Sequence, residues 1–328
     1  MKYYYYNPLS RQYYFPEGFH NYPVFSTFYR AYKLKARIIW KIWRHSAFIR
    51  NLFYTNQAEN VLPIEILKKY VSPNSILAFN FGTKGIDQKI TVLSVDTKTN
   101  ESFFIKYATS QIACENVTNE CLVLKQLSKL SFVPELILSA HEDKICSLFK
   151  TTVLFGEKMK HQNVDEQLLD ILYTLSKQHV KSHRNYESGL INSFAHGDFC
   201  PWNMIVDEGK IKLFDWELAG QYPLGYDLFT YIFQYEFLVK EIKRFDKALK
   251  ENAQIIQQYF EHFLIYDWTP YLQEFAKLKY ETALKKNNTD LIEMYLMMKQ
   301  ETMEEDYLDK LSVAQVPQYT GNALKISQ

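Results

Sequence analysis

Residues 194–217, FAHGDFCPWNMIVDEGKIKLFDWE, constrain this chain more than any other stretch. Two short apolar runs, Met204 to Val206 and Ile211 to Phe214, flank the polar turn Asp207-Glu208-Gly209-Lys210, which is the pattern of a β-hairpin. Asn203 then sits just before the first strand and Asp215 at the end of the second. The open ends of a hairpin lie side by side, so Asp198, Asn203 and Asp215 are expected to converge on one small volume.

That convergence suits phosphoryl transfer. The reaction needs a carboxylate to orient the attacking hydroxyl and take its proton, and oxygen ligands that hold Mg²⁺ on the phosphates of ATP. Mg²⁺ is hard and octahedral, and is satisfied by one or two protein carboxylates with phosphate and water. Asp198 is the candidate base, with Asn203 and Asp215 the candidate metal ligands. A loop that merely collects turn-forming Asp and Asn is the plainer alternative, and the full spacing with a hairpin between the ligands argues against it.

The pattern His196-Gly197-Asp198, four residues, Asn203, then Asp215-Trp216-Glu217 resembles the aminoglycoside phosphotransferase and choline kinase group, the small-molecule branch of the protein-kinase-like fold. Eukaryotic protein kinases more usually carry H-R-D and D-F-G. The resemblance covers roughly residues 75 to 300. It implies an α+β protein-kinase-like two-lobed fold with a small antiparallel-sheet N-lobe and a mostly helical C-lobe. The expected divisions are a basic, aromatic extension over 1–60, a nucleotide-binding N-lobe over 61–150, a catalytic and acceptor-binding C-lobe over 151–312 and a tail over 313–328. It further implies a buried structural role for His196, a metal-supporting or loop-anchoring role for Glu217, and a buried Asp227 that steadies the catalytic loop.

Ahead of the hairpin, Ser102 to Ala108 alternates like a strand and presents Lys106, while residues 116–127 read as a helix carrying Glu120. Kinase-like folds pair a strand lysine on the phosphates with a helix glutamate that holds it, and these two residues match in order and element type. Residues 75–96 read as strand, turn, strand. Gly82 and Gly85 in that turn could offer amides to phosphates, although the G-x-G-x-x-G spacing is absent and a plain hairpin turn is the preferred account. The resemblance places adenine near Leu148 to Thr152. Residues 164–180 read as a helix with Leu168, Leu169, Leu172 and Leu175 on one face and a structural His179 at its end. Tyr231, Tyr235, Tyr266 and Trp268 are aromatic candidates for the acceptor pocket, with core packing the safer reading for each.

Residues 1–58 hold nine Lys or Arg and one acid, Glu17. The Tyr-rich start, to about Pro23, reads as irregular, and a helix is expected between Phe25 and Phe53, with Phe28, Tyr32, Ile39, Trp43 and Phe53 near helical spacing. Such a helix either packs on the domain behind it, the preferred reading because amphipathicity is the ordinary sign of a core-facing helix, or makes peripheral contact with an anionic membrane through residues 25–53. A nucleic-acid patch is a weaker third option. The formal net charge is +1, so no global field argues for nucleic acid. Four cysteines form no C-x-x-C pair, which suits a reducing compartment, and no apolar run is long enough to cross a bilayer. A cytoplasmic protein, peripheral at the inner membrane surface if its front binds lipid, is expected.

The expected activity is transfer of the γ-phosphoryl of ATP, with Mg²⁺, to a hydroxyl of a small molecule. A sugar or a glycan or lipid-linked precursor is the favoured acceptor, with choline, ethanolamine or an aminoglycoside as alternatives. Of the rival classes, a pseudokinase would lack a catalytic position, and none is missing here. A protein kinase would need more chain than Ala219 to Asp227 for its activation loop.

Overall fold

A computed structural model describes residues 2–7, 12–29, 34–55, 62–82, 84–142, 145–160, 163–238, 245–285 and 288–302. The chain divides into two compact units. The first comprises Met1–Asn163, Lys177–Asn185 and Phe194–Gln221; the second comprises Val164–Ser176, Tyr186–Ser193 and Tyr222–Gln328. The expected boundaries at 60 and 150 both fall inside the first unit.

An eight-stranded sheet dominates the first unit. In chain order its strands are β1 (Tyr3–Tyr6), β2 (Tyr13–Pro16), β3 (Tyr54–Thr55), β4 (Ser75–Asn80), β5 (Ile90–Asp96), β6 (Ser102–Tyr107), β7 (Leu136–Glu142) and β8 (Ile145–Thr152). Their spatial order is β3-β1-β2-β4-β5-β6-β8-β7, and every pair is antiparallel. Side chains alternate across the pleat. Leu77, Phe79, Val92 and Ile105 enter one buried cluster with Leu67 and Leu148. Ala78, Leu93 and Val95 enter another with Phe15, Phe19, Phe25, Trp40 and Trp43.

The second cluster corrects the sequence reading of the front. Residues expected to be irregular form β1 and β2, and these extend the sheet along β4, with Tyr13 opposite Asn80 and Tyr14 opposite Phe79. Aromatic residues suit a pleated, half-buried surface, and the partner strand lies too far along the sequence for a local pattern to reveal it. The expected helix is broken into a 3-10 turn at Pro23–Thr27, α1 (Leu34–His45) and α2 (Ala47–Asn51). Ser46 makes the break, accepting the Ile49 amide through its hydroxyl at 3.3 Å as the N-cap of α2. Phe28 and Trp43 are core residues, whereas Ile39 and Phe53 face solvent; Tyr32 lies outside the described residues.

A short helix, α3 (Ile64–Leu67), follows Pro63, and α4 (Gln111–Gln126) packs against β8. Ser110 caps α4 by accepting the Ala113 amide. In the second unit lie α5 (Glu166–Ser176), α6 (Tyr226–Leu238), α7 (Phe245–Glu261), α8 (Thr269–Lys285) and α9 (Thr289–Thr302). α6 packs on α7 and α8, and α8 on α9. The four leucines expected on one face of α5 are all buried. Phe229 of α6 meets Phe260, Trp268 and Phe275 in an aromatic core. An antiparallel sheet in one unit and packed helices in the other make this an α+β fold.

Candidate active site

Three short strands and their hairpin carry the HGD and DWE segments. β9 (Glu157–Lys158), β11 (Met204–Asp207) and β12 (Lys210–Leu213) form a sheet in the order β12-β11-β9. β10 (Asn192–Ala195) leads into His196. Glu208 and Gly209 both have positive φ, the backbone that lets a two-residue hairpin follow the strand twist. At the open end, the Phe214 amide donates to the Asn203 carbonyl at 3.1 Å. The buried His196 clamps the same point, its Nε2 donating to the Phe214 carbonyl at 3.1 Å while its Nδ1 accepts the Asp198 amide at 3.3 Å. Those two bonds fix which ring nitrogen carries the proton, and they make His196 a spacer between the two arms of the loop.

Asn203 closes on Asp198. Its Nδ2 donates to the Asp198 carbonyl at 2.9 Å and to Asp198 Oδ2 at 2.8 Å, which leaves Oδ1 as the atom that could meet a cation. Asp215 stands at φ 70 and ψ 58, left-handed backbone that few non-glycine residues adopt and that clusters at functional sites.

Asp215 is joined to the small-lobe pair. Lys106 Nζ lies 2.7 and 2.5 Å from the two oxygens of Glu120 and 2.6 Å from Asp215 Oδ1. Glu120 Oε1 also accepts the Trp216 amide at 3.2 Å. Burial pulls the Lys106 ammonium down, but Asp215 and Glu120 outweigh it and the net shift is upward. Burial likewise pushes the Asp215 carboxyl up, and Lys106 and Lys89 reverse this to hold it well below the usual carboxylate range.

Lys89 is one residue that sequence reasoning missed. Just before β5, it places Nζ 3.3 Å from Asp215 Oδ1 and forms an ion pair with Glu217. Burial draws its ammonium below the usual lysine range in spite of Asp215. A lysine ahead of a strand is unremarkable in sequence, and only the fold brings it to the carboxylates.

A second unforeseen group pins the DWE segment to α4. Asn119, buried beside Glu120, donates through Nδ2 to the carbonyls of Glu217 at 3.2 Å and Ala219 at 2.9 Å. Its Oδ1 accepts the Ser182 hydroxyl at 2.9 Å and the His183 amide at 3.0 Å. Arg184 donates through Nε to the Glu217 carbonyl at 3.2 Å and through Nη2 to Asn116 at 2.8 Å. Gly197 packs so closely on this segment, at φ +85, that a Cβ there would overlap the Leu218 carbonyl.

The remaining expected positions are placed as follows. The Gly82 amide donates to Asn80 Oδ1 at 2.9 Å and is committed there rather than to a phosphate. Gly85 has no left-handed backbone, and its carbonyl accepts the Gln88 amide. Leu148 is buried opposite Tyr107, and Thr152 opposite Phe103 exchanges bonds with Glu135, its amide donating to the Glu135 carbonyl and its hydroxyl accepting the Glu135 amide. Their backbone belongs to the sheet, which the chain leaves only at Val153. α5 ends at Ser176, so His179 lies beyond the helix and is exposed. Asp227 is buried in the first turn of α6, in the second unit. Tyr231 and Trp268 are core residues, the latter donating to Gln257 Oε1 at 2.9 Å, while Tyr266 is exposed; the Tyr235 side chain lies outside the described set. Cys200 is buried, its thiol donating to Asp198 Oδ1 at 3.5 Å.

The donor set suits a hard cation. Among the described residues, Glu120, Asp215 and Glu217 each bring a carboxylate oxygen within 4.8 Å of the others, and oxygen ligands are what Mg²⁺ takes.

Residues 157–261 match the family model described as the phosphotransferase enzyme family. Among curated proteins no similar sequence was found. Similar solved structures include an amicoumacin kinase in complex with AMP-PNP, Ca²⁺ and Ami, at 15% identity and TM-score 0.46, over 76% of this chain and 96% of that one. A choline/ethanolamine kinase family protein from Mesorhizobium loti aligns at 13% identity and TM-score 0.42, over 78% and 97%. A Plasmodium vivax ethanolamine kinase aligns at 10% and 0.47, over 86% and 97%.

Proposed function

We propose that this chain, whose residues 157–261 match the model of the phosphotransferase enzyme family, is an ATP-dependent kinase that phosphorylates a hydroxyl of a small molecule. The observation that carries the reading is the continuous set of bonds from Glu120 through Lys106 to Asp215, at the end of the hairpin whose other end holds Asp198 against Asn203. Asp198 orients the acceptor hydroxyl and takes its proton, while the Asn203 amide keeps that carboxylate in place. Lys106 holds phosphate oxygens and Glu120 keeps Lys106 on station. Lys89 brings a second ammonium to the same phosphates and is kept in reach by Glu217. Asp215 and the Oδ1 of Asn203 would hold Mg²⁺, which when bound neutralises phosphate charge. Because residues 148–152 spend their backbone on the sheet, the adenine is assigned to the chain just after it, at 153–156.

For the acceptor we favour a sugar or a glycan or lipid-linked precursor. The support is the front of the first unit, where basic residues accompany exposed apolar ones, a surface that would bring an enzyme to substrates held at a lipid face. Choline, ethanolamine and aminoglycosides are the competing acceptors.

The test uses γ-labelled ATP, Mg²⁺ and a fractionated cell extract, with wild type beside Asp198→Asn. Label in a small-molecule or lipid fraction with wild type alone is the expected result, and Asp198→Asn should still bind Mg-ATP. Label confined to protein bands, or wild-type turnover by Asp198→Asn, would overturn the assignment.

A further inference from the structure

α1 is apolar on two opposite faces. Trp40 and Trp43 are buried in the cluster beneath the sheet. On the far side Leu34, Ile38 and Ile42 recur every four residues, the spacing of one helical face, and all three are exposed, Leu34 by 70%. α2 and the turn after it add two more exposed apolar side chains, Phe48, 77% exposed, and Leu52, 63% exposed. Packing on the sheet therefore explains only half of the helix. Scattered exposed aliphatics are ordinary, but a contiguous row of them marks an interaction surface.

Charge indicates what meets it. Between residues 18 and 58 the chain has no Asp or Glu, while Lys35, Arg37 and Lys41 are exposed along the borders of the apolar row. The first turn of α1 holds cations and no acid, although cations at a helix N-terminus oppose its dipole. Burial in a protein interface would desolvate these charges. Lipid headgroups would instead neutralise them while the acyl region takes the aliphatics, an arrangement favoured by each Lys or Arg near an anionic surface. With 12 residues, α1 is far too short to span a bilayer, and none of the described helices could.

We infer that α1 and α2 form an in-plane anchor that docks the first unit on an anionic phospholipid surface, its apolar row inserted at the headgroup boundary. Binding of this kind scales with buried apolar area and with attraction to anionic lipid. It does not depend on the phosphoryl-transfer reading, so either can fail alone.

The full chain is floated with phosphatidylcholine vesicles, with and without about 30 mol% phosphatidylglycerol. Three proteins are compared: wild type, Ile38→Asp with Ile42→Asp, and Lys35→Glu with Lys41→Glu. Because all four positions are exposed, both variants should unfold at the wild-type temperature and bind nucleotide as wild type does. Wild type should float with anionic vesicles and not with neutral ones, and each variant should bind about tenfold more weakly or worse. Three results would overturn the inference. Wild type fails to float with anionic vesicles; or the aspartate pair floats undiminished; or the glutamate pair does so. A dimer in solution that the aspartate pair dissociates, seen by sedimentation, would assign the face to a second copy instead.

Discussion

Asn119→Ala tests how the helix carrying Glu120 is tied to the segment carrying Asp215 and Glu217. The wild-type amide makes four hydrogen bonds: two donated to the Glu217 and Ala219 carbonyls, two accepted from the Ser182 hydroxyl and the His183 amide. At about 0.5–1.5 kcal/mol net per bond, the gross loss would be about 2–6 kcal/mol. Two of the abandoned acceptors have a reserve: Arg184 still donates to the Glu217 carbonyl, and the Ser182 hydroxyl is 2.7 Å from that of Ala219. The expected destabilisation is therefore about 2–3 kcal/mol. For a domain of about 150–250 residues that lowers Tm by roughly 4–12 °C, measurable by thermal unfolding. The segment would also settle less firmly against α4, so calorimetry with a non-hydrolysable Mg-nucleotide should show weaker binding. Asn119→Asp, which keeps the acceptor but points carboxylate oxygen at two carbonyls, should be no better. A Tm within about 1 °C of wild type, with nucleotide affinity unchanged, would mean that this network does not hold the site together.

Lys89→Met should let divalent cations bind the nucleotide-free protein more tightly, because an ammonium 3.3 Å from Asp215 no longer competes for that carboxylate; even at the dielectric constant of water the competing attraction is ~1.3 kcal/mol, or about tenfold. Mn²⁺ titration followed by electron paramagnetic resonance reads this directly, and equal affinity would show that Lys89 does not oppose a cation there. Gly197→Ala forces a side chain into left-handed backbone against the Leu218 carbonyl and should cost about 1–3 kcal/mol or more; a melting temperature equal to wild type would refute the close approach. Asp215 titrates low in the folded chain, so its contribution to stability is complete above about pH 5 and drains away as pH falls below the ordinary carboxylate value of about 3.9 toward the folded one. Chemical denaturation of Asp215→Asn should accordingly show a shallower loss of stability below about pH 5 than wild type, and parallel acid limbs would contradict the ion pairs.

Local patterns announced the hairpin that carries Asn203 and Asp215. Met204–Val206 and Ile211–Phe214 bracket a turn whose Gly209 takes the positive φ it needs, and the carboxylates hang on its ends. Lys106 and Glu120 were legible for a similar reason, since strand alternation and helix period each show in a short window. The front was not. Four consecutive tyrosines have no polar partner to reveal a period of two, and β2 is a strand only because β4 pairs with it. Lys89, Asn119 and Arg184 were equally hidden, because a lysine, an asparagine and an arginine acquire meaning only through neighbours that tertiary folding supplies. The end of β8 was hidden for a different reason: the sequence shows that a strand ends near residue 152, while the bonds between Thr152 and Glu135 show that its last residue is still spoken for.

The placement of β1 and β2 also sets a schedule for the growing chain. They leave the ribosome before their partner strand, since the edge they complete is made by Ser75–Asn80, roughly 60 residues later, which at 5–20 residues per second is about 3–12 s of synthesis. Throughout that interval an aromatic hairpin has no sheet to join. A chain built this way has reason to wait under a chaperone, or to find an early home for its apolar front, before its catalytic hairpin has been made at all.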